Sequence, residues 1–240
     1  MINKLVAYYV SAGVEDRYYR KLATEALEKF RNYTKTAVKF FKNTRSSYLS
    51  RSETHKGFII PFEEIDPTYS DLYIILLPKN SRFQEGIGTK QTGGKTIVLI
   101  LLKALNGDFD LTHADMNFQK TSFIHEFIHY LDQKRYKGKT KWSSKVNTFT
   151  DYYNNPAEFN AFYQEGAESV EALYQNVFKK TKGNIPIPFK KALKTVNAFY
   201  KFSITLFHKA FIENLNSRYR KKFLKRFAAL YKEIKKKYKE

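Results

Sequence analysis

The sequence predicts an α+β fold, and three observations predict it. The first half carries three short apolar runs bounded by Pro, Gly and Asp. Next comes a stretch from Asn117 to Tyr136 that no Pro or Gly interrupts. The last third repeats apolar residues at steps of three and four between many lysines. The first pattern reads as strands, the other two as helices. Hydrophobic residues make up 42% of the 240, with 18 Tyr and 21 Phe, which excludes a disordered basic tail.

Taken in order, residues 14–42 alternate charge with Leu22, Ala26, Leu27, Phe30, Tyr33 and Val38, as an amphipathic helix or pair of helices does. Residues 45–56 are polar and read as a loop. The runs at 57–62, 72–77 and 96–102, punctuated by Pro61, Asp66-Pro67, Pro78 and Gly93-Gly94, read as strands of a small mixed sheet. Gly93-Gly94-Lys95-Thr96 imitates the end of a phosphate-binding loop. Thr89 stands where that loop needs its first Gly, and a strand follows where a helix must open, so nucleotide binding is set aside for a turn. Residues 1–182 are expected to form one domain. A basic helical annex, 183–240, starts at the hinge-like Gly183-Asn184-Ile185-Pro186-Ile187-Pro188 and packs on it. There is no internal repeat.

His125-Glu126-Phe127-Ile128-His129 reads H-E-x-x-H within the uninterrupted stretch. Residues four apart lie on one helix face, so His125 and His129 can offer two imidazole nitrogens to one metal ion. Glu126 stands beside them, within reach of a water held there. Ile124, Phe127, Ile128 and Leu131 form the i, i+3, i+4, i+7 stripe of a helix on a core, with the histidine face at its edge. The bland alternative is a core helix with two satisfied histidines. A zinc site needs a third protein ligand, and with no Cys it must be His, Asp or Glu. The H-E-x-x-H-x-x-G-x-x-H continuation fails, because Asp132 replaces the Gly and Arg135 the last His. Downstream, Asn155 and Pro156 open a new helix that carries Glu158 in its first turn. Glu158 is the preferred third ligand. Glu165 is its rival, with Glu168 and Glu171 less well placed. Asn155-x-x-Glu158 also has the spacing of a capping box.

The stretch H-E-F-I-H-Y-L-D followed by N-N-P-A-E-F-N-A-F resembles the zincin-like, gluzincin-type metallopeptidases encoded in bacteriophage genomes. More distantly it is similar to the H-E-x-x-H…E-x-x-A arrangement of ImmA/IrrE-type peptidases. The resemblance covers residues 125 to about 164. It implies a zincin-like fold, with an N-terminal helix, a small sheet, the His helix and a Glu-bearing helix in that order. It also implies zinc held by His125, His129 and Glu158, with Glu126 as general base, and a protein substrate. The repressor partners of the ImmA type are not implied. An oxyanion-stabilising residue is expected among Tyr152, Tyr153, His208 and Arg218, without a choice among them.

Lys and Arg number 43 against 23 Asp and Glu, for a net charge of +20. The excess gathers after Arg218 on a stretch where Ile212, Leu215, Tyr219, Phe223, Phe227, Leu230 and Ile234 recur at helical steps. An amphipathic helix with a basic outer face is expected there. It is either simply solvated or a surface for nucleic acid, another polyanion or an anionic membrane. No apolar run reaches the ~18 residues of a transmembrane helix. Leu5 to Val10 lacks the features of a secretory signal. The Lys, Asn, Tyr, Phe and Ile content suits a low-GC phage or bacterium. Virion or host cytoplasm is then the expected location, or bacterial cytoplasm if the chain is not phage-encoded. A virion component with a zincin fold is the alternative to an active peptidase, and virion proteins are its expected partners.

Overall fold

Strand β2 (Leu72–Leu77) is apolar or aromatic at every position because it has neighbours on both sides. It pairs antiparallel with β1 (Phe58–Pro61) and parallel with β4 (Lys95–Lys103). The four-stranded sheet is mixed, in the order β1-β2-β4-β3. Leu72, Ile74 and Leu76 of β2 and Val98, Ile100 and Leu102 of β4 are buried, which is the period-two signature of strands packed on a core. These coordinates come from a computed structural model, which describes residues 17–34, 58–77, 84–92, 95–103, 120–135 and 148–238. The expectations for residues 4–10 and 45–56 and for Gly93 and Gly94 lie outside the described residues.

The fourth strand, β3 (Gly86–Thr92), escaped the sequence reading. Its residues, Gly-Ile-Gly-Thr-Lys-Gln-Thr, lack apolar alternation, and its strand character comes from antiparallel pairing with β4. Thr92 pairs with Lys95, so two residues separate the paired ends in sequence. The Gly93-Gly94 pair in the sequence was the available signal.

Two helices join this sheet's unit. Helix α1 spans residues 17–34 and α2 spans Lys120–Arg135. Phe30 of α1, Phe62 after β1, and Phe123 and Phe127 of α2 form one aromatic cluster, with centroids 5.4 Å apart for Phe30–Phe123 and 5.9 Å for Phe62–Phe127. Both ends of α2 are tied to the sheet. Ser122 donates to Glu85 at 3.1 Å, and the other oxygen of Glu85 accepts from the Lys103 N–H at 3.0 Å. At the far end the Tyr130 hydroxyl donates to Asp71 at 2.8 Å, and Lys134 pairs with the same carboxylate at 2.6 Å. The rotation of α2 is thereby fixed.

The second unit is helical: α3 (Phe149–Tyr153), α4 (Pro156–Lys180), α5 (Ile187–Ala192), α6 (Val196–Ser203), α7 (Lys209–Asn214) and α8 (Ser217–Tyr238). Phe159 meets Tyr219 near the starts of α4 and α8, and Tyr174 meets Tyr238 near their ends, so the two long helices run parallel. A parallel pair needs a return path, and α5 to α7 supply it. At the crossing with the segment before α7, a Cβ on Gly166 would sit 2.2 Å from the Phe207 ring, so only glycine fits. Helix α4 ends in a Schellman motif: Gly183 N–H bonds Phe178 C=O at 2.9 Å and Lys182 N–H bonds Lys179 C=O at 3.2 Å. Ile185 is buried in the same core as Tyr174 and Ile234, so the segment expected as a hinge is anchored there.

The continuous helix expected from Ile212 onward is instead broken at Leu215–Asn216. The Asn154 amide spans the break, donating to Asn214 C=O at 2.8 Å and accepting from Asn216 N–H at 3.0 Å. Asn216 then caps α8 by accepting from Tyr219 N–H at 3.0 Å. These bonds satisfy backbone groups that a helix end otherwise leaves open.

By contacts the chain divides into two compact units, the described residues of Lys21–Lys134 and those of Met1–Arg20 with Arg135–Glu240. The expected α+β class holds, with eight helices and the small mixed sheet among the described residues. No helix among them is long and apolar enough to cross a membrane.

Candidate metal centre

Eight consecutive residues of α2, Phe123 to Tyr130, are buried. The single apolar stripe expected for this helix is therefore too narrow. Phe123 and Tyr130 lie off it, yet Phe123 is covered by Phe30 and Phe127, and Tyr130 is held by Asp71. Within this helix His125, Glu126 and His129 are 7%, 9% and 2% exposed. Burying three ionisable side chains on two turns is costly unless partners compensate. The two histidines face each other through like atoms, Nε2 to Nε2, at 3.2 Å. Two nitrogens bound to one tetrahedral zinc at ~2.05 Å would stand ~3.3 Å apart.

Glu158 comes from α4, whose start follows the sequence: Asn155 is the N-cap and Pro156 the first helical residue. The structure separates the two roles weighed for Glu158. In a capping box its carboxylate would take the Asn155 N–H and the Asn155 side chain would take the Glu158 N–H. Here the Asn155 N–H goes to Tyr152 C=O at 3.1 Å, and the Asn155 Oδ1 accepts from Ala157 at 2.9 Å. The cap is thus complete by other means, and Glu158 is buried.

His125, His129 and Glu158 each present one ligand atom, all within 4.8 Å of one another, and this buried group could hold a metal ion. Two imidazoles and a carboxylate are a borderline-soft nitrogen and oxygen set, which fits zinc and leaves a fourth tetrahedral position open. Glu165 is only half-buried and is not part of the group. Glu171 is engaged elsewhere, with Lys237 at 2.8 Å and Arg20 at 3.9 Å.

Of the four candidate oxyanion residues, Arg218 and His208 are exposed and Tyr152 is half-buried. Tyr153 is buried. Its hydroxyl is pushed above its ordinary range, first by burial and then by the negative charges of Glu158 and Glu165. It therefore stays protonated in the field of a prospective ligand, a placement nothing in the sequence distinguished. Burial, followed by Asp71, likewise raises Tyr130 far above the usual tyrosine range, so its hydroxyl remains a donor that holds α2.

Comparison of the chain with protein-family models, curated proteins and solved structures finds no match.

Proposed function

We propose that this protein is a zinc-dependent metallopeptidase of the H-E-x-x-H type, phage-encoded and acting on a protein substrate in the virion or the host cytoplasm. The observation that carries the reading is the buried His125, His129 and Glu158 group, with Glu126 on the same two turns of α2. His125 and His129 would hold the ion through their Nε2 atoms and Glu158 through its carboxylate. A zinc ion bound there supplies Lewis acidity toward a scissile carbonyl and makes water nucleophilic near neutral pH. Glu126 takes the proton of the attacking water and passes it to the leaving amine. The Asp71 and Glu85 tethers keep α2, and with it both imidazoles, from rotating away.

A purely structural zinc is the competing use of such a group, and it calls for four protein ligands. The described residues supply three. The test is Glu126→Gln. The variant is expected to keep its metal and to cleave a peptide library, read by mass spectrometry, at least ~100-fold more slowly. Equal cleavage by variant and wild type, or a metal-loaded wild type that cleaves nothing in the library, overturns the proposal.

A further inference from the structure

Helix α8 separates most of its residues by side, with Leu224 the exposed apolar exception. Phe223, Phe227, Leu230 and Ile234 are buried in the core of the helical unit. Arg218, Lys221, Lys225, Lys232 and Lys236 are exposed. Their spacing of three, four, seven and four places them on one side of the helix, with Ala228 and Ala229 filling the missing turn. No carboxylate stands among these positions. The row runs 18 residues, about 27 Å at ~1.5 Å per residue.

This arrangement works against the helix that carries it. Arg218 with Lys221, Lys221 with Lys225, and Lys232 with Lys236 are like-charge neighbours on a helix surface, where opposite charges would stabilise. The first turn of α8 holds no acidic residue, and Arg218 and Arg220 sit where the helix dipole disfavours cations. Some cations of the helix also make packing or pairing contacts, and within the row Arg218 lies 5.9 Å over the Tyr219 ring. Arg226 lies 3.8 Å over the Tyr163 ring and donates to Asn160 at 3.0 Å, and Lys237 pairs with Glu171 at 2.8 Å.

We propose that the Arg218–Lys221–Lys225–Lys232–Lys236 row is a binding surface for the phosphate backbone of a nucleic acid. A rigid row of cations matches a polymer with regularly spaced phosphates, and releasing that polymer's counterions drives binding. The repulsion within the row is relieved when phosphates lie along it. A membrane surface fits less well. An amphipathic helix lies in a bilayer by its apolar face, and the apolar face of α8 is already used by the core. The proposal stands independently of the metal centre.

The test is fluorescence anisotropy of the full chain with a labelled mixed-sequence DNA duplex of about 16 base pairs, roughly twice the length of the row, titrated across KCl concentrations. Five neutralised phosphates give a log–log salt slope of about −4.5, a loss of about 500-fold in affinity between 50 and 200 mM salt. Replacing all five cations by Gln, which keeps helix propensity, should bring the slope near zero. A control replaces five other exposed lysines of the same unit, Lys179, Lys180, Lys190, Lys191 and Lys201, by Gln, and should leave the slope within about one of wild type. Should the five-site row variant unfold, Lys221→Gln with Lys225→Gln serves, and should reduce the slope by about 1.8. Three results overturn the proposal: no duplex binding at 50 mM salt, an equal loss in the control, or binding only to phosphatidylserine-containing vesicles.

Discussion

Helices α2 and α8 treat charge in opposite ways. Helix α8 keeps its apolar residues in the core apart from the exposed Leu224 and most of its cations in water, and the buried Arg226 is met by Tyr163, Phe159 and Asn160. Helix α2 buries every residue from Phe123 to Tyr130, including His125, Glu126 and His129. A helix that only needed to fold would resemble α8. Polar side chains in an otherwise apolar, fully covered segment cost stability unless something compensates. On α2 the proposed metal would contribute to that compensation. The difference between the helices is that α2 buries the residues of the candidate metal group while α8 buries mainly apolar ones.

The largest effects come from removing the rings that bury each helix. Phe127→Ala in α2 and Phe227→Ala in α8 should each cost about 3–5 kcal/mol in denaturant unfolding. Phe127 touches Phe62, Tyr69, Phe123 and Tyr130, and Phe227 touches Phe199, Tyr200, Phe207 and Phe223. The comparison sharpens if Phe127→Ala also weakens zinc retention while Phe227→Ala leaves it intact. Equal retention in both would mean that the packing of α2 does not position the histidines.

A smaller effect is expected at Arg226. Arg226→Lys keeps the charge but loses the flat face over Tyr163 and the fork toward Asn160, and should cost about 1–2 kcal/mol. Lys221→Gln, on the outer row of the same helix, should change stability by less than about 0.5 kcal/mol. Similar costs at the two positions would erase the division between inner and outer cations.

How far the sequence disclosed this depends on how local each feature is. Four-residue spacing fixes that His125 and His129 share a helix face, so the histidine pair was readable. Asn155 and Pro156 announce the start of α4 with the same directness. Whether Glu158 closes a capping box was not a local question. It turned on the Tyr152 carbonyl taking the Asn155 N–H, which no spacing rule gives. Strand β3 was invisible because its glycines and polar residues are held extended by β4. The break before α8 was missed because Leu215 continues the apolar period, while Asn154, some sixty positions upstream, supplies the bonds that permit it. Burial on all sides of α2 was likewise a tertiary fact.

A further small effect is a pH dependence in the sheet's unit. Burial pushes the Asp66 carboxyl up, but hydrogen bonds from Lys29 and Thr68 outweigh it and hold the group below its ordinary 3.8. A depressed folded-state pKa means that fewer protons are bound folded than unfolded. The contribution of Asp66 is therefore fully present above about pH 4 and is lost as pH falls through the lower folded value. Asp66→Asn should cost less than about 1 kcal/mol at pH 7, and the difference from wild type should shrink toward pH 2. Urea unfolding at several pH values reads this directly, and a difference that grows on acidification contradicts it.

The central claim is that the buried polar residues of α2 hold a metal. The most direct test is zinc content per chain by elemental analysis of purified wild type, His125→Ala and Glu158→Ala. About one zinc in wild type, none in His125→Ala and a weakened, readily chelated zinc in Glu158→Ala is the result the account predicts. A well-folded wild type that carries no metal and takes up none from zinc-containing buffer would contradict it, and would leave α2 a packed helix with two buried histidines.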